Sequence, residues 1–261
     1  MTGMRRALTI ARNDFELLSK EPLAAILLIL MPLVIMVVAK PTYAAVLHQE
    51  GYHLANGAEQ AVPGMAVMFA FFMVTFGSLA FFREYMWHTW SRIRAMPVRS
   101  REIMLGKAVP SLVIICCQQT VLFVVGNLFF GLRVHGSVAA LVAVDLAFTL
   151  WLTAFILLVV AVCRSFEQIL AISNLGAIVF AGIGGALTPM HTIPSWISPI
   201  AHVTPTYWAM RGFNSVLLDG KGIGAVVLPV GVLVAAAAVF CVAAAARFRF
   251  DVAKGGALPG L

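Results

Sequence analysis

Six runs of about 20 apolar residues constrain the fold of this 261-residue chain more than any other feature. A helix that crosses the hydrocarbon core of a bilayer needs about that many mostly apolar residues. Pro22 and Pro63 each open a run, where a missing N–H group costs nothing, whereas Pro32 lies inside the first run and is expected to kink it. The six predicted spans cover residues 22–39, 63–82, 108–130, 137–162, 169–187 and 225–246.

The composition of the chain supports a membrane protein. Apolar residues make up 61% of the sequence and charged residues 11%, with a mean hydropathy of +0.96. One soluble domain of this length could not bury so many apolar side chains. These values exclude a soluble enzyme, a disordered chain and a nucleic-acid-binding domain, and no nucleic-acid partner is expected. We predict an all-α membrane protein whose residues 1–261 form one transmembrane domain, without a cleavable signal peptide.

The basic residues predict the orientation of the spans. Fourteen of the 18 Lys and Arg residues lie on one side of the predicted membrane, in residues 1–21, 83–107, 163–168 and 247–261. Lys and Arg accumulate in cytoplasmic loops of membrane proteins. We therefore predict that both termini and the segment 83–107 are cytoplasmic and that residues 188–224 are external.

Two segments outside the spans have the character of membrane-surface helices. In residues 1–21, an apolar stripe at spacings of three and four predicts an interfacial helix. Residues 188–224 are too apolar for a free loop and too interrupted by proline for a span, so we predict short re-entrant or interfacial helices there. By contrast, the loop from Lys40 to Val62 is polar and is predicted to be only partly ordered.

The segment 83–107 holds six basic residues against two acidic ones. Pro97 disfavours helix at Met96, and Ser100 is a suitable N-cap for a following helix, so the segment is predicted to form a helical elbow between spans two and three. Such an elbow could attract anionic lipid head groups or form a docking site for a soluble partner. The residues that define it are Arg92, Arg94, Pro97, Arg99, Arg101 and Glu102.

The sequence contains no recognisable catalytic or cofactor motif. It has no G-x-x-x-x-G-K-[ST] phosphate-binding loop, no zinc-ligand spacing and no evident nucleophile–base pair. We therefore expect no catalytic residue, no metal and no cofactor in this chain, and we expect that it cannot hydrolyse ATP alone.

Polar residues inside the spans are the candidates for a substrate pathway. Asp145 lies about two turns into the fourth span, where a charged side chain should face protein or a water-filled cavity. It could bind substrate or protons, or it could be a structural partner of Gln118, Gln119 or Asn127. Asn174 in the fifth span is a further candidate and could also form an interhelical hydrogen bond.

Phenylalanine is abundant in the second span, with six such residues between Phe69 and Phe82. We expect these rings to face lipid. The alternative is that they stack against a hydrophobic substrate.

The chain resembles the membrane permease subunits of type-2 ATP-binding-cassette exporters, close to the daunorubicin-resistance and nodulation-factor export branch. The resemblance covers nearly the whole chain and rests on the order and spacing of several loose motifs. These are Lys20-Glu21-Pro22, Pro32, Arg92-Ile-Arg-Ala-Met-Pro-Val, Leu105-Gly-Lys107, Pro194-Ser-Trp196-Ile, Pro199, Pro205-Thr-Tyr207 and Arg211-Gly.

The resemblance implies a complex in the bacterial plasma (inner) membrane. The complex would contain two permease subunits, of which the second is another copy of this chain or a paralogue. Two cytoplasmic ATP-binding subunits would join them and would bind ATP and Mg. Closure of the ATPases would reach the permease through the elbow and the N-terminal helix. The permease would then expel an amphipathic or lipid-like substrate such as a drug, glycolipid or polysaccharide. The implied outer gate comprises Pro194, Trp196, Pro199, Pro205, Tyr207 and Arg211.

Two other functions stay open on the residues alone. One is a proton-coupled secondary transporter that uses Asp145, although such carriers usually show inverted repeats and several intramembrane ionisable groups. The other is an intramembrane enzyme that acts on a lipid, for which the sequence offers no catalytic cluster.

Overall fold

A computed structural model describes residues 22–86, 100–163, 165–189 and 196–247, and within these ranges the chain forms helices and turns without a strand. The predicted interfacial helix at residues 1–21 lies outside the described residues. In chain order the helices are α1 (Pro22–Gln49), α2 (Ala58–Met86), α3 (Ser100–Phe130), α4 (Val138–Val162), α5 (Phe166–Ile183), α6 (Ser198–Ala201), α7 (Pro205–Leu217) and α8 (Ile223–Arg247).

Six of these helices, α1 to α5 and α8, are long and apolar enough to cross a membrane. The predicted all-α, six-span architecture is confirmed. The apolar sequence of α2 runs to Phe82 and that of α3 begins at Ile103, but both helices continue beyond these points, α2 to Met86 and α3 back to Ser100. At 1.5 Å per residue, α2 extends about 6 Å and α3 about 5 Å past the apolar sequence.

The first connection is shorter than the sequence predicts. The polar loop expected from Lys40 to Val62 is reduced to a turn at residues 50–57, because α1 continues through Pro41 to Gln49. Tyr43 and Leu47 are buried in the bundle, and the Lys40 ammonium group donates a 2.7 Å hydrogen bond to the carbonyl of Phe130 at the end of α3. These tertiary contacts stabilise a helical conformation in a stretch whose polar sequence is typical of a loop.

The core of the bundle is formed by α2 and α4. In their apolar stretches, 72% and 67% of the residues are buried, against 17% in α1 and 22% in α8. Phe71 of α2 is fully buried, with its ring centroid 5.5 Å from Phe180 and 5.9 Å from Trp151. The prediction that the second span turns its phenylalanines to lipid is therefore wrong for Phe69, Phe71, Phe81 and Phe82, which are buried in the protein.

One end of the bundle contains α6, α7 and the turns 50–57, 131–137 and 218–222, and we call it the short-helix end. Hydrogen bonds fix both ends of α7 to neighbouring segments. The Thr206 hydroxyl donates a 2.7 Å hydrogen bond to the carbonyl of Phe180 at the end of α5, and the Gly136 amide donates a 3.0 Å bond to the carbonyl of Val216. The short helices expected within residues 188–224 are thus present.

Candidate functional site

A cavity of about 400 Å³ lies at the short-helix end, between the end of α1, the start of α2, α7 and the start of α8. This size falls in the range of small-molecule sites, about 300–1,000 Å³. Leu47, Leu218 and Ala225 contribute apolar surface to the wall. The remaining lining is mostly polar or charged, so the cavity combines the two kinds of surface that an amphipathic ligand requires.

The amphipathic pattern of α7 places polar side chains in the cavity. Arg211, Asn214, Ser215 and Leu218 line it, and spacings of three, four and seven residues put them on one side of the helix. The opposite side is buried in the bundle core and comprises Thr206, Ala209, Met210, Phe213, Val216 and Leu217. Packing of the apolar side therefore orients the polar side.

Asp219 is the centre of an ion-paired network at the cavity wall. The Tyr52 hydroxyl donates a 2.9 Å hydrogen bond to one carboxylate oxygen, and the Lys221 ammonium lies 2.7 Å from the other. The hydrogen bond to Asp219 raises the pKa of the Tyr52 phenol, and partial burial and the charges of Asp219 and Glu50 raise it further. Tyr52 therefore stays protonated and donating, which fixes the turn 50–57 to the turn after α7.

Two amide side chains in the lining have acceptor atoms without a protein partner. Gln60 is fully buried; its Nε2 donates a 2.8 Å hydrogen bond to the Gly185 carbonyl, while its Oε1 accepts none from the described residues. The Oδ1 of Asn214 is likewise unpartnered within the part of the chain that the structure describes. Buried polar atoms are normally hydrogen-bonded, so these two oxygens call for an explanation.

The predicted gate residues differ in their placement. Arg211 lines the cavity, with its guanidinium 5.4 Å from the ring centroid of Trp208. Pro205 is the first residue of α7, and the Tyr207 hydroxyl lies 2.9 Å from His202 Nε2. Pro199 occupies the first turn of α6 and Trp196 is 73% exposed, whereas Pro194 lies outside the described residues.

The predicted pathway residues lie on different surfaces of the bundle. Gln118 faces α1 and donates a 3.2 Å hydrogen bond to the Leu28 carbonyl, which Pro32 leaves without its helical donor. Gln119 is fully buried and its amide has no hydrogen-bond partner among the described residues. Asn174 is exposed on α5. Gln118 therefore has a structural role, which explains its place beside a proline-containing helix.

Asp145 is half-buried on α4. Its Oδ1 has no hydrogen-bond partner among the described residues. Two of the partners that the sequence suggested bond to backbone instead, Gln118 to Leu28 and Asn127 to Leu132. Within the described ranges, no hydrogen bond to this oxygen therefore requires Asp145 to be charged.

We expect Asp145→Asn to assemble as well as the native chain and to transport at a near-normal rate. The substitution keeps the size of the side chain and removes the cost of holding a carboxylate among apolar helices. Transport per assembled complex is the measurement, with assembly checked by size-exclusion chromatography. An assembled but inactive Asn variant would contradict this expectation and assign a cation or proton to Asp145.

The predicted coupling residues fall largely outside the described part of the chain. This holds for Arg92, Arg94, Pro97 and Arg99. Arg101 and Glu102 lie in the first turn of α3, which begins at Ser100, where the sequence predicts a helix start. The described residues contain no group of three or more His, Cys, Asp or Glu side chains that could hold a metal ion.

Six residues that line the cavity are not among the predicted site residues: Glu50, Tyr52, Gln60, Asn214, Asp219 and Lys221. The spacing of Arg211, Asn214, Ser215 and Leu218 is the signal that was available, because it marks a polar helix face between apolar positions. The other side of the cavity comes from the turn 50–57 and the start of α2, which no local pattern links to α7.

Comparison with known proteins places these features in a family context. A sequence model of the family described as "ABC-2 type transporter" matches residues 6–218. The chain is 30% identical over 150 residues to the "Linearmycin resistance permease protein LnrN" of Bacillus subtilis, an alignment that covers 58% of this chain and 39% of that protein. It is 28% identical over 137 residues to the "Probable multidrug ABC transporter permease YbhR" of Escherichia coli, covering 49% of this chain and 36% of the relative. The aligned part is thus well under half the length of either relative.

Proposed function

The chain belongs to the ABC-2 type transporter family, and from that premise we propose that it is the membrane subunit of an exporter driven by a separate ATP-binding subunit. The family match over residues 6–218 carries this proposal, since it runs from the N-terminal segment through α7. The proposed complex contains two permease subunits, identical or paralogous, and two ATPase subunits that bind ATP and Mg. Its proposed location is the bacterial plasma membrane.

The proposed substrate is amphipathic or lipid-like, such as a drug, a glycolipid or a polysaccharide. One relative is named a linearmycin resistance permease and the other a probable multidrug permease. These names support an amphipathic molecule as the substrate. The cavity at the short-helix end also supports it, because its lining is part apolar and part polar.

The lengths of α2 and α3 support coupling through the elbow between them. Both helices continue past their apolar sequence on the side opposite the short-helix end, by about 6 Å and about 5 Å at 1.5 Å per residue. A movement of the elbow would therefore be transmitted along α2, which is the most buried of the spans. An ATPase docked at the elbow would act directly on the core of the permease.

Reconstitution with the ATPase tests the proposed function. The chain is affinity-purified from its native host, the co-purified ATPase is identified, and both are placed in liposomes with a fluorescent amphipathic drug. We expect ATP-dependent transport that is lost when the catalytic Glu of the ATPase is replaced by Gln. Transport that persists with the inactive ATPase would overturn the proposal.

We expect the short-helix end to face outward and the elbow to face the cytoplasm. Leu54 is 83% exposed in the turn 50–57, and Ser100 begins α3 at the other end of the bundle. In a variant without the four native cysteines, Leu54→Cys should react with a membrane-impermeant maleimide in intact cells, and Ser100→Cys should react only after the cells are opened. The reverse pattern would invert the orientation.

A proton-coupled secondary transporter is the second candidate function. The observation that favours it is the Oδ1 of Asp145, which has no hydrogen-bond partner among the described residues. Dissipating the proton gradient while ATP is maintained separates the two candidates, because only the secondary transporter would stop.

A further inference from the structure

We propose that the exposed side of α5 is the contact surface between two identical copies of this chain, with the amide of Asn174 hydrogen-bonded to the same amide of the second copy. The inference deepens the proposed function and rests on it for the presence of a second permease subunit. It adds the surface through which the two subunits meet and the choice of an identical subunit over a paralogue.

Packing on α2 buries one side of α5. Five residues of α5 are buried: Ile169, Ser173, Gly176, Ala177 and Ala181. On the other side Ala171, Asn174 and Ile178 are exposed, and their spacings of three and four residues place them in one stripe along the helix. The stripe is therefore free to contact another membrane helix.

Asn174 lies at the depth of the hydrocarbon core. It is the ninth of the 18 residues of α5, so at 1.5 Å per residue it is about 12–14 Å from either end of the helix. Lipid tails offer no hydrogen-bond partner, and an amide that exchanges water for hydrocarbon without a new partner is strongly disfavoured. A protein surface that donates and accepts hydrogen bonds therefore fits this stripe better than lipid does.

The exposed surfaces of α1 and α8 differ from that of α5. Near the middle of α1 the exposed side chains include Met31 and Val34, and near the middle of α8 they include Val234 and Val239. Lipid tails are as apolar as these side chains and can cover them at no cost in hydrogen bonds. The amide of Asn174 thus distinguishes α5 from these two helices as the surface that another protein covers.

The symmetry of a membrane dimer makes Asn174 its own partner. Two copies inserted in the same orientation are related by a two-fold axis along the membrane normal, so the two α5 helices meet with each residue at the same depth. An amide side chain carries donors and an acceptor and can pair with an identical amide. A paralogue with an apolar residue at this depth would leave the amide without a partner, whereas an identical copy satisfies it.

Disulfide crosslinking of the full chain in membranes, expressed without an ATPase or a paralogue, tests the surface. In a variant without the four native cysteines, Asn174→Cys and Ile178→Cys should each give a disulfide-linked dimer on oxidation, because cysteines bridge when their Cα atoms lie within about 7 Å. Val234→Cys, at an exposed position near the middle of α8, is the matched control and should give no crosslinked dimer.

Substitution of the amide tests the hydrogen bond separately from the packing. Asn174→Leu keeps a side chain of similar size and should weaken self-association of the purified chain about 3- to 30-fold, the usual contribution of one interhelical hydrogen bond in a membrane. Asn174→Gln keeps an amide and should retain most of the association. Energy transfer between fluorescent labels on separate copies measures the association as the chain is diluted in lipid.

No crosslinking at positions 174 and 178, equal crosslinking of Val234→Cys, or unchanged self-association of Asn174→Leu would overturn the inference. Labelling of Asn174→Cys by a water-soluble maleimide in intact membranes would also overturn it, because the amide would then face a water-filled cavity. ATP enters none of these measurements, so their failure leaves the proposed function to the reconstitution with the ATPase. Failed reconstitution of a chain that still crosslinks at position 174 would contradict ATP-driven export alone.

Discussion

Replacing Gly64 by alanine is expected to destabilise the protein by about 3 kcal/mol, the upper part of the usual range for overpacking. A Cβ atom at this position in α2 would overlap with the backbone carbonyl of Ala186. Hydrogen bonds to the two flanking carbonyls hold this segment in place: Gln60 donates to the Gly185 carbonyl at 2.8 Å, and the Tyr43 hydroxyl donates to the Leu187 carbonyl at 2.7 Å. Because the Cβ atom would meet a backbone carbonyl, no side chain can rotate away to relieve the clash.

Thermal unfolding in detergent measures this effect. For a chain of this size, a loss of about 3 kcal/mol should lower the unfolding midpoint by about 6–12 °C. Gly231→Ala in α8 is the matched control, because a Cβ there meets nothing within 4 Å and alanine favours helix by up to about 1 kcal/mol. Equal unfolding midpoints for the Gly64 and Gly231 variants would contradict this prediction and show that the segment 184–189 can shift to relieve the clash.

The same close approach explains why this part of the fold matters for the candidate site. Gln60 lies one helical turn before Gly64, and its side chain lines the cavity while it holds Gly185. Separation of α2 from the segment 184–189 would therefore displace one wall of the cavity.

The spans were predictable because hydropathy and length are local properties of the sequence. All six predicted runs became helices, and α4 starts within one residue of its predicted position, where Ser137 caps it by accepting from the Ala140 amide. The extension of α1 beyond Pro41 was not predictable, since it depends on the burial of Tyr43 and Leu47 against other helices.

The local sequence pattern also does not predict which helices are central and which are peripheral in the bundle. A span surrounded by helices and a span facing lipid are both apolar throughout, so the sequence does not distinguish the central α2 from the peripheral α1. The cavity shows the same limit at a finer scale. Tyr52 and Asp219 are 167 residues apart in the chain, and only the docking of α7 onto α2 and α4 brings them into a hydrogen bond.

The elbow between α2 and α3 is expected to bind an ATPase rather than lipid, and this is the substitution series with the largest expected effect on transport. A lipid-binding surface needs only positive charge, so it should tolerate Lys for Arg and be indifferent to Pro97. A docking surface needs geometry, since guanidinium groups bind carboxylates in bidentate pairs and Pro97 restricts the preceding backbone. Arg99→Lys with Arg101→Lys keeps the charge, and Pro97→Ala keeps the charge while it removes the backbone restriction.

On the docking hypothesis, the double Arg variant and Pro97→Ala should each weaken co-purification of the ATPase about tenfold or uncouple its hydrolysis from transport, since a charge-assisted hydrogen bond contributes about 1.5–3 kcal/mol. Glu102→Gln should also impair coupling, although it makes the elbow more basic and would strengthen lipid binding. Arg133→Lys, in the turn 131–137 at the short-helix end, is the matched control and should behave as the native chain does. If the three elbow variants all bind the ATPase and transport normally, the coupling surface lies elsewhere, and the N-terminal segment 1–21 becomes the next segment to test.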